Sequence, residues 1–124
     1  MHEIRIAIAG IGNCASSLVQ GLHYYKEIFA KGQEVIGLAN PVLGGYAPSD
    51  VRVVAAIDID KRKVGRPLHE ALFAAPNNTK VFYDRFKYSG VKVRMGNVLD
   101  GVAGHMGSFA ESKRFSLAAK PNAT

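Results

Sequence analysis

With 124 residues, 48% of them hydrophobic, 21% charged and a formal net charge of +6, the chain has the composition of one modest globular domain and not of a disordered segment. Every apolar run meets a charge or a glycine before it reaches membrane-spanning length, and a single cysteine, Cys14, excludes an internal disulfide framework. The four histidines, His2, His23, His69 and His105, are scattered and indicate no metal site.

The basic excess is densest at Lys61, Arg62, Lys63 and Arg66. It has neither zinc-finger spacing nor basic–aromatic alternation, so it reads as a solvated face and not as a nucleic-acid surface. No secretory signal precedes the first apolar run, and a cytoplasmic setting is expected.

Ile4, Ile6, Ile8 and Ala9 form a short apolar run that reads as a buried parallel strand over residues 4–9. Gly10 and Gly12 break it, and a helical pattern follows from 13 to about 30. Ala15, Leu18, Val19, Leu22, Tyr25 and Phe29 are its expected inner face, with Gln20, His23 and Lys26 more exposed. Strand, glycine turn and helix are the context that a dinucleotide fingerprint requires. In that reading Gly10 permits the tight turn and Gly12 leaves room for a pyrophosphate. Ala15 takes the third small position, and the first helical amides face the phosphates. Asn13, Ser16 and Ser17 are available for capping or further hydrogen bonds. Cys14, at the helix N-terminus, reads as a small residue under the ligand and not as a nucleophile, because no histidine or acid is fixed beside it by spacing.

Lys31 and Gly32 make a helix stop. The stretch 33–50, QEVIGLANPVLGGYAPSD, is a Gly/Pro-rich insertion that delays the second strand. Its apolar residues make it a candidate flap over a ligand, a subunit edge or a surface excursion. VRVVAAI at 51–57 is the second strand, with Asp58 at its end. An acid there accepts hydrogen bonds from an adenosine ribose and disfavours a 2'-phosphate, so NAD is expected over NADP. Asp58 lies 48 residues beyond Gly10, against the usual separation of about 20. The insertion accounts for the excess.

A basic turn follows, then a short helix from about Pro67 to Ala75 with Leu68, Ala71 and Leu72 inward. It stops at Pro76, Asn77, Asn78 and Thr79, whose polar groups are ordinary turn chemistry or border a nucleotide. VKVRM at 91–95 is a third strand, with Lys92 and Arg94 facing away from the core. Beyond it lies a turn-rich passage through Gly96, Asn97, Asp100 and Gly101, after which periodicity is lost. The expected fold class is α/β, a Rossmann-like domain with a parallel sheet, incomplete within these residues. The expected division is 1–106 as the N-terminal part of that domain, the insertion at 33–50 within it, and 107–124 as an irregular or truncated tail.

Several stretches in order resemble the inositol-3-phosphate synthase family, in particular its archaeal and actinobacterial members. They are GIGNCASSLVQGLHYYK at 10–26, LGGY at 43–46, VVAAIDIDKRKVG at 53–65, PNNT at 76–79 and GVKVRMGNVLDGVAGHM at 90–106. The resemblance implies an NAD-dependent isomerase that converts D-glucose 6-phosphate to 1D-myo-inositol 3-phosphate by transient oxidation, aldol cyclisation and reduction, within inositol and phospholipid biosynthesis. It implies Gly10, Ile11, Gly12, Asn13, Cys14 and Ala15 under the dinucleotide phosphates and Asp58 with Ile59 at the adenosine end. Asn77, Asn78 and Asp100 are further pocket candidates. It also implies a homotetramer for full-length members, with catalytic lysines in a later domain. Neither Lys61 nor Lys63 matches those lysines, and the catalytic residues are not assigned. An isolated chain of this length is expected to be inactive. Two other readings stay open: part of a different NAD-dependent oxidoreductase, and a non-catalytic nucleotide-binding module.

Overall fold

The computed structural model of the chain describes residues 2–99 and 102–119. Three parallel strands, β1 (Ile4–Ala9), β2 (Val51–Asp58) and β3 (Val93–Met95), form one sheet in the order β1-β2-β3. Between β1 and β2 runs α1 (Asn13–Ala30), and between β2 and β3 a single helical turn, α2 (Leu68–Ala71). This is the α/β arrangement with a parallel sheet that the alternation of apolar runs predicts, and it is consistent with an incomplete Rossmann-like domain. Parallel pairing follows from the crossovers: a helix carries the chain back along the sheet, so the next strand starts at the same end.

The core lies between the sheet and the helices. Ile11, Ala15, Val19, Ala56, Leu68, Ala71, Leu72 and Val93 are buried together, and Ile8, Val53, Phe73, Phe86 and Val91 pack around them. The opposite face of β1 and β2, with Arg5, Ala7, Ala9, Arg52, Val54 and Ile57, is exposed. Among the described residues the helical layer therefore covers one side only. The register slips by one residue between Ile6 and Ala7, so β2 gains Val54 without a partner in β1. A bulge of this kind re-aims the strand ends, here the ends that lead to Gly10 and Asp58.

Three expectations are corrected. The buried face of α1 is Ala15, Ser16, Val19 and Gln20, while Leu18 is 47% exposed. The helix is rotated because Gln20, expected outside, is fully buried and serves the segment that passes over it. Its Oε1 accepts the N–H groups of Phe82 and Tyr83, at 2.8 and 3.0 Å. The helix expected from about 67 to 75 is four residues long, because Asn77 folds back to donate to the Leu72 carbonyl and ends it. The third strand is limited to Val93–Met95, while Lys92 only bridges Pro67.

The insertion at 33–50 holds a Leu43–Tyr46 bridge and a 3₁₀ turn, Pro48–Asp50. It is tied to the N-terminal end of β1 by His2, which bonds the Gly45 carbonyl and stacks edge-on against Tyr46. The Tyr25 hydroxyl donates to the Ile36 carbonyl. These anchors lie at the end of the sheet opposite the glycine turn, so the insertion is not a flap over that turn.

Candidate functional site

The C-terminal ends of β1 and β2 lie side by side, and two short connections meet there. Gly10 leaves β1 with φ +91°, a conformation that excludes ordinary side chains, and its N–H donates to the Ile57 carbonyl at 2.8 Å. Ile11 is fully buried beneath the turn. Its N–H donates to Asp58 Oδ2 at 2.6 Å, and its carbonyl accepts from the Lys63 ammonium. Gly12 is the N-cap of α1 and Ala15 packs into the core, so the helix starts close against the sheet. No side chain caps the helix. Among the described residues the first-turn amides of Asn13, Cys14 and Ala15 meet no acceptor, so the turn ends in unsatisfied donors at the positive end of the helix dipole.

Asp58 is 8% exposed, and both its oxygens are engaged. Oδ2 holds Ile11, and Oδ1 accepts the N–H groups of Ile59 and Asp60 at 2.7 and 2.8 Å. The carboxylate is thus first a brace between the end of β2 and the glycine turn. One acceptor direction on Oδ2 is left over, since a carboxylate offers about four lone-pair sites and three are used.

Asn13 reaches across to the turn after α2. Its side chain exchanges two bonds with Asn78, and its carbonyl accepts from the Thr79 hydroxyl at 3.0 Å. Asn77 is used internally, bonding the Leu72 carbonyl and the Thr79 N–H. The structure therefore brings Gly10, Ile11, Gly12, Asn13, Cys14, Ala15, Asp58, Ile59, Asn77 and Asn78 to one end of the sheet. Asp100, the remaining candidate, lies outside the described residues.

A crevice of about 790 Å³ opens over this end. Gly12 and Asn13 line one wall and Ala75, Pro76, Asn77 and Asn78 another, while Met106, Phe109, Lys113 and Arg114 come from the C-terminal segment. That segment is fastened to the stretch after β2. Lys61 N–H donates to Ser116, Ala118 N–H to Ile59, and Ser116 N–H to Asp60 Oδ2, at 2.7, 2.8 and 2.8 Å. Asp60 is completely buried and grips Arg62 through both oxygens, at 2.9 and 2.8 Å. Burial pushes the Asp60 carboxyl up. The Arg62 guanidinium and the N–H groups of Ser116 and Arg62 outweigh it and hold the group below the ordinary carboxylate value.

Lys63 is the residue that sequence reasoning missed. It belongs to a basic cluster that reads as solvated, yet it is 1% exposed. The chain turns at Asp60, whose carbonyl accepts the Lys63 N–H at 3.0 Å, and this sends the side chain back beneath the glycine turn. Burial lowers its ammonium below the usual lysine value, with Asp58 and Asp60 opposing the shift and Arg62 adding to it. The only signal in the sequence was the pair of acids, Asp58 and Asp60, followed directly by the three bases Lys61 to Lys63, which solvated turns share.

No family model matches the chain. An inositol-3-phosphate synthase of Mycolicibacterium smegmatis is 48% identical over 100 residues, 81% of this chain and 27% of that protein. At the level of family, this chain matches inositol-3-phosphate synthase. The synthase of Mycobacterium tuberculosis is 46% identical over 100 residues, with the same shares of both chains, and that of Corynebacterium glutamicum 42% identical over 102 residues, 82% and 28%. The chain thus spans about a quarter of the length of the curated synthases it matches. A crystal structure of Ari2 superposes with a TM-score of 0.73 at 36% identity, covering 78% of this chain and 30% of that one. The described residues contain no helix long and apolar enough to cross a membrane.

The geometry bears on whether a dinucleotide fits this chain. A Cβ placed on Gly12 would meet no atom within 4 Å, so this residue opens a cradle on the crevice wall. Uncapped amides, a glycine cradle and the cations Lys113 and Arg114 on the facing segment form a donor set suited to a diphosphate.

Proposed function

We infer that this chain forms the N-terminal, NAD-binding part of an inositol-3-phosphate synthase. The observation that carries the reading is the uncapped start of α1 beside Gly12, opening on the crevice at the ends of two parallel strands. Gly12, Asn13, Cys14 and Ala15 would hold the phosphates through backbone amides, with Gly10 and Ile11 shaping the turn. Asp58 and Ile59 would border the adenosine end, and Asn77, Asn78 and Asp100 the rest of the pocket. Ile11, Ala15 and the core beneath them exclude water from the floor of the site. Bound NAD supplies a hydride acceptor that can later return the hydride, so that the overall reaction is an isomerisation of D-glucose 6-phosphate.

The family match supports this reading, and the crevice residues support the cofactor. The catalytic groups for the sugar and the contacts of a homotetramer belong, on this reading, to the portion of the synthases that this chain does not span. The expected setting is cytoplasmic. Calorimetric titration of the chain with NAD, ATP and a short RNA tests it. NAD alone should bind, and glucose 6-phosphate with NAD should give no inositol phosphate. Binding of ATP or RNA in preference to NAD would replace the reading by a different nucleotide-binding module.

A further inference from the structure

Resting on the dinucleotide reading above, we propose that Lys63 is the positioning residue of the phosphate site, a buried clamp that turns the N–H groups of Gly12 and Asn77 toward the crevice. The argument begins with the peptide plane. In a trans peptide the carbonyl of one residue and the N–H of the next point in opposite directions. Among the described residues the Ala75–Pro76 bond is the cis exception, so the peptides joining Ile11 to Gly12 and Pro76 to Asn77 are trans.

Lys63 Nζ donates to the Ile11 carbonyl and, at 3.4 Å, to the Pro76 carbonyl. Both carbonyls are thereby drawn inward to one buried ammonium. The following amides, those of Gly12 and Asn77, must then face the other way. Both residues line the crevice, and among the described residues neither amide meets an acceptor in the chain. One cation thus orients one donor on each of two facing walls.

The rest of the turn shows why this orientation has to be imposed. The N–H groups of Gly10 and Ile11 are taken by Ile57 and Asp58, so Gly12 supplies the first free amide. Gly12 itself is backbone without a side chain to wedge it in place, and glycine has the widest choice of conformations. The ammonium is a point donor with three N–H bonds, so it can serve two carbonyls from different loops at once. The charges around it are Asp58 and Asp60 from the end of β2 and the turn after it, and Arg62 beside it. With Lys63 itself these four charges sum to zero, so the clamp acts by orienting the two carbonyls and not through net charge.

Two measurements test the clamp. In the 124-residue chain, Lys63→Met should weaken NAD at least tenfold by calorimetry while leaving the affinity for adenosine within twofold, because adenosine has no phosphate for the two amides. The amide ¹⁵N shift of a residue reports on the bond made by the preceding carbonyl. In the unsubstituted protein, the Gly12 and Asn77 signals should therefore move together as pH rises, with the midpoint read from the Lys63 Nζ signal itself, which burial lowers from the usual lysine value. This second measurement stands even where Lys63→Met fails to fold or the protein binds no NAD. In the latter case the dinucleotide reading falls and the clamp is judged by the shifts alone. A folded Lys63→Met protein with unchanged NAD affinity, or Gly12 and Asn77 signals that ignore the lysine's titration, would overturn the proposal.

Discussion

The Asp58 carboxylate accepts the backbone N–H of Ile11 at 2.6 Å, joining the end of β2 to the turn that follows β1. The two residues are 47 positions apart, and the whole of α1 and the insertion lies between them. The acid expected to face a ribose is thus also what shapes the glycine turn, with Lys63 completing the frame from the carbonyl side. The turn's backbone is held by side chains below it, which leaves its upper amides for a ligand.

Asp58→Ala should therefore unfold more easily and not merely lose a ligand contact. It leaves the buried Ile11 N–H and two further amides without acceptors, and removes one of the two acids that offset the buried Lys63 charge. We expect a loss of about 2–3 kcal/mol in urea unfolding at neutral pH, with Asp58→Asn losing less because one carbonyl oxygen remains. Equal stability of Asp58→Ala and the unsubstituted chain would show that the brace is idle.

Asp60 makes the protein sensitive to acid. Its folded-state value lies below the ordinary one, burial being outweighed by Arg62 and the N–H groups of Ser116 and Arg62. The unfolded chain therefore takes the proton first. The contribution is present above the unfolded value of about 3.9 and is lost as pH falls through the folded value. Asp60→Asn should be less stable at pH 7, and the gap between the two proteins should close from about pH 4 downward. Urea midpoints across that range decide it, and a gap independent of pH would refute the assignment. The same substitution should expose the segment around Ser116 to limited proteolysis, because the buried carboxylate is one of its anchors, beside two backbone bonds.

How much of this was legible in the sequence divides along physical lines. The strand–turn–helix unit at Ile4 to Ala30 and the strand ending at Asp58 could be read, because apolar periodicity and glycine placement are local signals. The burial of Gln20 and Lys63 could not. Each is a polar side chain satisfied by backbone groups far along the chain, Phe82 and Tyr83 for Gln20 and Ile11 for Lys63. No spacing rule carries such partners, and composition places both residues outside. The rotation of α1 that exposes Leu18 is the direct consequence of the first of these.

Gly10 and Gly12 separate folding from binding within one turn. Gly10 has φ +91° and no neighbour that a Cβ would strike, so Gly10→Ala should cost about 1–2 kcal/mol through backbone strain alone. Gly12 has φ −104°, a conformation open to any residue, and a Cβ there also meets nothing within 4 Å. Gly12→Ala should then change stability by at most about 1 kcal/mol, the difference between glycine and alanine as an N-cap. Its effect belongs to the crevice. A methyl group, and more so the branched side chain of Gly12→Val, projects into the space where the phosphates would approach the amides, so NAD affinity should fall at least tenfold in Gly12→Val while the melting transition stays close to that of the unsubstituted chain. Thermal melts and calorimetric titrations of the three variants separate the two roles. If Gly12→Val binds NAD as tightly as the unsubstituted chain, the dinucleotide does not lie across this turn.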